Sequence, residues 1–107
     1  MAKKLSEKEF TETIKSDKPS LVCFGSLSCG KCMMAKSKFP QYEEALGDLA
    51  TLYHVEAEDC ADLFKQYGID HMPVFILFKN GKNIGTRSAI GLPENIVDFV
   101  KVNTKEK

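Results

Sequence analysis

At 107 residues the chain has room for one domain, and an apolar content of 43% supports a folded core rather than a disordered chain. Fifteen Lys and Arg balance fifteen Asp and Glu, which excludes a basic nucleic-acid surface, a polybasic membrane anchor and an acidic tail. No apolar run approaches the ~20 residues of a membrane helix. The polar Ser6-Glu7-Lys8-Glu9 stands where an export signal would be apolar, so a cytoplasmic protein with no membrane or nucleic-acid partner is expected.

Ser6 and Glu9 are spaced as a capping box, with Leu5 and Phe10 placed as the hydrophobic staple across it. Phe10 and Ile14 then fall one turn apart, predicting a first helix of about three turns that stops before Pro19. Ser20-Leu21-Val22-Cys23-Phe24 is almost continuously apolar, the pattern of a strand buried on both faces. A turn over residues 26–32 leads into a helix through Met33, Met34, Phe39 and Leu46, all four expected in the core. Pro40 should kink that helix rather than end it. Residues 49–55 read as a second buried strand, and 59–67 as a short helix with Leu63 and Phe64 inward, closed by Gly68.

Val74-Phe75-Ile76-Leu77-Phe78 is the strongest strand signal; it runs into Asn80-Gly81, a preferred hairpin turn, and returns over residues 83–88. Pro93 opens the last helix, whose apolar stripe is Ile96, Val97, Phe99 and Val100. Strand-helix-strand alternation followed by a hairpin predicts an α/β domain with a mixed sheet and helices on both faces.

The four cysteines, Cys23, Cys29, Cys32 and Cys60, are too few for a disulfide-built scaffold. Cys29-Gly30-Lys31-Cys32 lies where a buried strand passes through a loop into a helix, a spacing that puts both sulfurs on one helix face within bridging reach. Cys29, at the helix start, meets free backbone amides and the positive end of the dipole, both of which favour a thiolate. Lys31 adds positive charge, and Cys32 sits one turn deeper. The asymmetry assigns attack on a disulfide to Cys29 and resolution of the mixed disulfide to Cys32. Half of a zinc site has the same spacing, but Cys23, Cys60, His54 and His71 supply no second pair at ligand spacing, so no metal is expected. A cysteine-ligated zinc or iron–sulfur site, including one shared between two chains, is the alternative.

Taken together, these segments resemble the thioredoxin family over nearly the whole chain. The resemblance is carried by Cys29-Gly30-Lys31-Cys32 after a buried strand, by Tyr67-Gly68-Ile69 leading to Met72-Pro73, by the Phe78-Lys79-Asn80-Gly81 hairpin, and by Ile90-Gly91 before the last helix. It implies a single thioredoxin-like domain over residues 1–107, with a central mixed sheet of four or five strands flanked by four helices. It also implies a monomeric protein thiol–disulfide oxidoreductase without a bound cofactor, acting in electron transport and cell redox homeostasis. Its implied partners are protein disulfides and, as electron donor, the NADPH-dependent flavoenzyme thioredoxin reductase. By the same resemblance Pro73 is cis beside the cysteines, Met72 presents its backbone to an extended substrate strand, and Gly91 leaves room for that strand. Ser28, Gly30 and Lys31 complete the expected substrate contacts.

The chain departs from that pattern in several places. Ser28 and Lys31 stand where the family carries tryptophan and proline, and the chain has no tryptophan at all. Ser28 offers a hydroxyl instead, and Lys31, by stabilising the reduced thiolate, should make the pair a stronger oxidant. Cys23 occupies the position of a buried aspartate that relays the proton of the resolving thiol, and His54 that of its companion lysine. Without a carboxylate there, Cys32 is expected to deprotonate slowly. These losses keep open a non-catalytic interaction module on the same fold. Cys23 reads as core; Cys60, set among Glu56, Glu58, Asp59 and Asp62, reads as passive; His71 reads as an exposed loop histidine near the substrate groove.

Overall fold

The computed structural model describes residues 2–88 and 90–105. The chain runs β1 (Lys3–Lys4), α1 (Glu7–Thr13), β2 (Ser20–Gly25), α2 (Gly30–Ser37), α3 (Phe39–Leu46), β3 (Thr51–Glu56), α4 (Ala61–Gln66), β4 (Val74–Lys79), β5 (Lys82–Arg87) and α5 (Pro93–Thr104). The strands form one sheet in the order β1-β3-β2-β4-β5. β2 is central, parallel to β3 and antiparallel to β4.

Every residue of β2 is buried, which its apolar run requires of a strand covered on both faces. Its alternating side chains feed two cores. On one face Val22 and Phe24 pack with Phe10 of α1, Leu63 and Phe64 of α4, and Phe78. The aromatic rings there meet edge-on, with Phe10–Phe78 centroids 5.3 Å apart and Phe24–Phe64 centroids 5.1 Å apart. On the other face Leu21 and Cys23 pack with Ala35, Phe39, Tyr42 and Leu46 of α2 and α3, and with Ile96 and Val100 of α5.

The local signals explain most boundaries. The Ser6 hydroxyl accepts from the Glu9 amide at 3.1 Å while the Glu9 carboxylate accepts from the Ser6 amide at 3.0 Å, and Leu5 and Phe10 are buried in the same core. Asn80 and Gly81 both take positive φ, 55° and 79°, as a tight hairpin turn demands. The tip is tied back to the end of α1, where Ser16 and Ile14 carbonyls accept from the Asn80 and Gly81 amides at 2.9 and 2.7 Å.

Four expectations are corrected. α1 is shorter than three turns, closing at Ile14. A two-residue strand, β1, pairs with β3 in parallel, too short to leave a sequence pattern. The long helix is two helices, α2 and α3, so the sheet is flanked by five helices rather than four. Pro40 has no amide for the Lys36 carbonyl, and its ring would clash with that carbonyl in a continuous helix; the Lys38 amide turns back to Ala35 and Lys36 instead, and a new helix begins at Phe39. Finally, Met33 and Met34 are not core but 53% and 59% exposed, because Cys32 and Ala35 form the face of α2 that meets the sheet.

Candidate active site

β2 ends at Gly25, and the chain turns through residues 26–29 into α2. From here the connection leads to β3 on one side of β2 while β4 flanks the other, the switch point at which open α/β sheets place their sites. Cys29 is the N-cap of α2, in an extended conformation, and its Sγ accepts from the Cys32 amide at 3.2 Å. A hydrogen bond from the Cys32 thiol is the main influence holding the Cys29 pKa below the ordinary thiol value; the amides of Cys32 and Lys31 and the Lys31 charge act the same way, against partial burial. Cys32 is 2% exposed. Burial first, and then its bond to Cys29, pushes its pKa up to about 11. Gly25 makes the space for this thiol: a Cβ there would stand 3.2 Å from Cys32 Sγ and 3.3 Å from its Cβ.

The rest of the expected site is partly assembled around this pair. Met72-Pro73 is cis, Pro73 is buried, and Cys29 Sγ lies 4.0 Å from the Met72 carbonyl oxygen. Gly30 and Lys31 are exposed on the first turn of α2, with open space around Gly30. Ser28 is also exposed, but its hydroxyl lies 3.1 Å from that of Ser26, and its amide donates to Ser26 Oγ at 3.2 Å. Gly91 is held by its neighbours: Tyr42 of α3 donates to its carbonyl at 2.6 Å, and a Cβ would come within 2.5 Å of Arg87 and 2.9 Å of Asn95. His71 is exposed and bonded to Asp70 at 2.7 Å.

Around the site stand Ser26, Glu56 and Glu58, which left no signal of that role in the sequence, and His54, which did. Buried Ser26 donates to the Glu58 carboxylate at 2.6 Å, and Glu58 also accepts from the Leu27 amide at 3.2 Å, so a residue beyond β3 latches the loop that carries Cys29. Glu56, 2% exposed, is ion-paired with Lys36 of α2. His54 Nδ1 is buried without a hydrogen-bond partner, and the ring packs on Phe39 at 5.7 Å. Burial, then the Lys36 charge, lowers the His54 pKa. A signal for the Ser26–Glu58 latch existed only in the strand register: Gly25 pairs with Glu56, so the residues just beyond both strands are neighbours.

Of the remaining cysteines, Cys23 is buried and its thiol is pushed up by desolvation. Cys60 occupies the N-cap position of α4 without a side-chain capping bond, its thiol donating to the Leu5 carbonyl at 3.8 Å. Its pKa is raised by burial first and by Asp59 second, so the acidic surroundings are the lesser reason for its passivity. Among the described residues no three His, Cys, Asp or Glu side chains are grouped to hold a metal ion.

A dithiol at a helix N-terminus, one sulfur reachable and one buried, beside a cis proline, is the equipment of a thiol–disulfide oxidoreductase. The chain belongs to the thioredoxin family, which it matches over residues 1–105. It is 37% identical over 82 residues to the chloroplastic thioredoxin Y of Oryza sativa subsp. japonica, aligning 76% of this chain with 49% of that protein. The chain thus spans about half the length of that relative. It is 32% identical over 80 residues to a thioredoxin of Alicyclobacillus acidocaldarius, covering 75% of this chain and 76% of the relative. In three dimensions it resembles the oxidised mitochondrial thioredoxin 3 of Saccharomyces cerevisiae, with a TM-score of 0.80, 24% identity and 94% of each chain covered. That likeness establishes the fold.

Proposed function

We propose that the protein reduces disulfides in other proteins by dithiol–disulfide exchange through Cys29 and Cys32. The observation that carries this reading is the asymmetry of the pair: Cys29 is accessible with its thiolate favoured, while Cys32 is buried with its proton held. Cys29 attacks one sulfur of the client disulfide and forms a mixed disulfide; Cys32 then attacks Cys29 Sγ and releases the reduced client. The client strand lies along the Met72 backbone beside Pro73, and Ser28, Gly30, Lys31 and Gly91 border it. Lys31 stabilises the reduced state and moves the pair toward a stronger oxidant. The protein acts as a monomer in the cytoplasm, in electron transport and redox homeostasis, and an NADPH-dependent flavoprotein reductase returns its disulfide to the dithiol. No bound cofactor takes part, since the electrons reside in the two sulfurs.

The test is insulin-disulfide reduction, with covalent trapping of the intermediate. Cys29→Ser should abolish reduction, and Cys32→Ser should accumulate a mixed disulfide that dithiothreitol releases. Undiminished reduction by Cys29→Ser would refute the reading, and no reduction by the native protein would favour the non-catalytic module.

A further inference from the structure

Met72-Pro73 forms one border of the client groove and Gly91 another, and a residue that lies outside the groove holds the second border in place. Tyr42 of α3 is 0% exposed, and its hydroxyl donates to the Gly91 carbonyl at 2.6 Å. Because that donor is wholly buried, the Gly91 carbonyl is turned toward the core. In a trans peptide the carbonyl and the amide point opposite ways. The Leu92 amide therefore points outward, where the side chain of exposed Asn95 accepts from it at 2.9 Å. Ile90, just before, packs against the core cluster that contains Tyr42. Both polar groups of the Gly91–Leu92 peptide are thus engaged within the protein, and what the loop turns outward at Gly91 is bare glycine surface. A Cβ there would meet Arg87 at 2.5 Å and Asn95 at 2.9 Å, so this arrangement itself demands glycine.

The Tyr42 ring braces the other border as well. It meets Phe75 edge-on, with centroids 6.1 Å apart, and Phe75 follows Pro73 by two residues at the start of β4. Phenylalanine would make that ring contact equally well. The hydroxyl is the part that needs a reason, since a buried hydroxyl is costly without a partner. This one finds its partner 49 residues along the chain, in the loop that borders the groove. Burial pushes the Tyr42 pKa up, against the opposing pull of the Gly91 bond and of Arg87, so the phenol remains a donor at neutral pH.

We propose that Tyr42 is a positioning residue for client binding: its hydroxyl turns the Gly91 carbonyl inward and fixes the wall against which a client strand lies. The inference rests on the reading of Gly91 as a border of the groove. Tyr42 acts through Gly91 and takes no part in sulfur chemistry. With the bond in place, an extended client meets a fixed surface without a side chain and makes its backbone hydrogen bonds along Met72. Without the bond the Gly91 peptide can rotate, as glycine permits, and the client has to order the loop as it binds.

Tyr42→Phe removes one oxygen atom and keeps the ring on Phe75. Single-turnover reduction of insulin by the pre-reduced protein, over a range of insulin concentrations, separates client binding from attack by Cys29. The half-saturating insulin concentration should rise about threefold or more, the scale of one hydrogen bond, while the limiting rate stays within about twofold of native. Dithiobis(nitrobenzoate), a disulfide with no peptide strand to lay in the groove, is the reference. The ratio of insulin to reagent rates at low concentration should fall by the same factor. Asn95→Ala, at an exposed position that leaves the core untouched, releases the other end of the same peptide and should raise the half-saturating concentration too. An unchanged value in either folded variant would overturn the proposal, as would equal losses toward insulin and the small reagent, which mark damage to the dithiol itself. Absence of insulin reduction by the native protein would instead sink the function proposed above, and this inference with it.

Discussion

Gly25→Ala adds a single methyl group, and its consequence follows from two distances. The new Cβ would stand 3.2 Å from Cys32 Sγ and 3.3 Å from Cys32 Cβ, both closer than ordinary van der Waals contact. Gly25 is the buried last residue of β2 and still pairs with Glu56 of β3, so a shift there disturbs the packing of both strand and helix. Overpacking of this kind costs about 1–3 kcal/mol, and the reduced freedom of the unfolded chain returns about 0.4–1 kcal/mol. The expected net loss is about 1–2 kcal/mol, which for a domain of this size lowers Tm by roughly 5–10 °C. The assay is urea or thermal unfolding of the fully reduced protein, repeated in a Cys32→Ala background. That background deletes the 3.2 Å contact and keeps the 3.3 Å one. The cost of Gly25→Ala should shrink there by at least about 0.5 kcal/mol, the signature of residues in contact. An equal cost in both backgrounds, or a stabilised single variant, would refute the reasoning that Gly25 exists to house the resolving thiol.

Ser26→Ala removes both the 2.6 Å bond to Glu58 and the acceptor for the Ser28 amide, so the loop carrying Cys29 is left held to Glu58 by the Leu27 amide alone. Hydrogen exchange at the Leu27 and Ser28 amides should accelerate several-fold while the amides of β2 keep their protection; unchanged exchange would mean that the latch holds nothing. The thiols also set a pH dependence. Iodoacetamide at neutral pH should modify Cys29 well before Cys32, whose reactivity awaits pH near 11. Cys23, Cys32 and Cys60 have pKa values raised by burial, so their contribution to stability is complete below the ordinary thiol value and is lost as pH rises above it. Cys29, with a lowered pKa, contributes in the opposite sense. Urea unfolding of the reduced protein should therefore show lower stability at pH 10 than at pH 7, and a flat profile would remove burial as the cause.

The elements most legible in the sequence are those governed by neighbours in the chain. The Ser6–Glu9 box, the positive-φ Asn80-Gly81 turn and the all-apolar β2 run each involve interactions over a few residues, and each stands as its pattern predicts. The spacing of Cys29 and Cys32 belongs to the same class, and the amide bond that favours the Cys29 thiolate is a local consequence of capping a helix. Met33 and Met34 show where local reasoning stops. An amphipathic pattern marks apolar residues on a helix, but which side turns inward was settled when Cys32 and Ala35 docked on the sheet.

What lies around the dithiol was settled the same way. The absence of an aspartate at Cys23 was visible, and it suggested a site without a carboxylate. The structure places Glu56, ion-paired with Lys36, on the adjacent strand and Glu58 against the loop that carries Cys29, because the β2–β3 register sets Gly25 against Glu56. The sequence by itself determined the elements, the hairpin and the reactive pair, since capping, periodicity and turn chemistry act between residues a few positions apart. Only the tertiary structure decided which charges stand beneath Cys32, because strand register and helix docking bring together residues that no pattern along the chain connects.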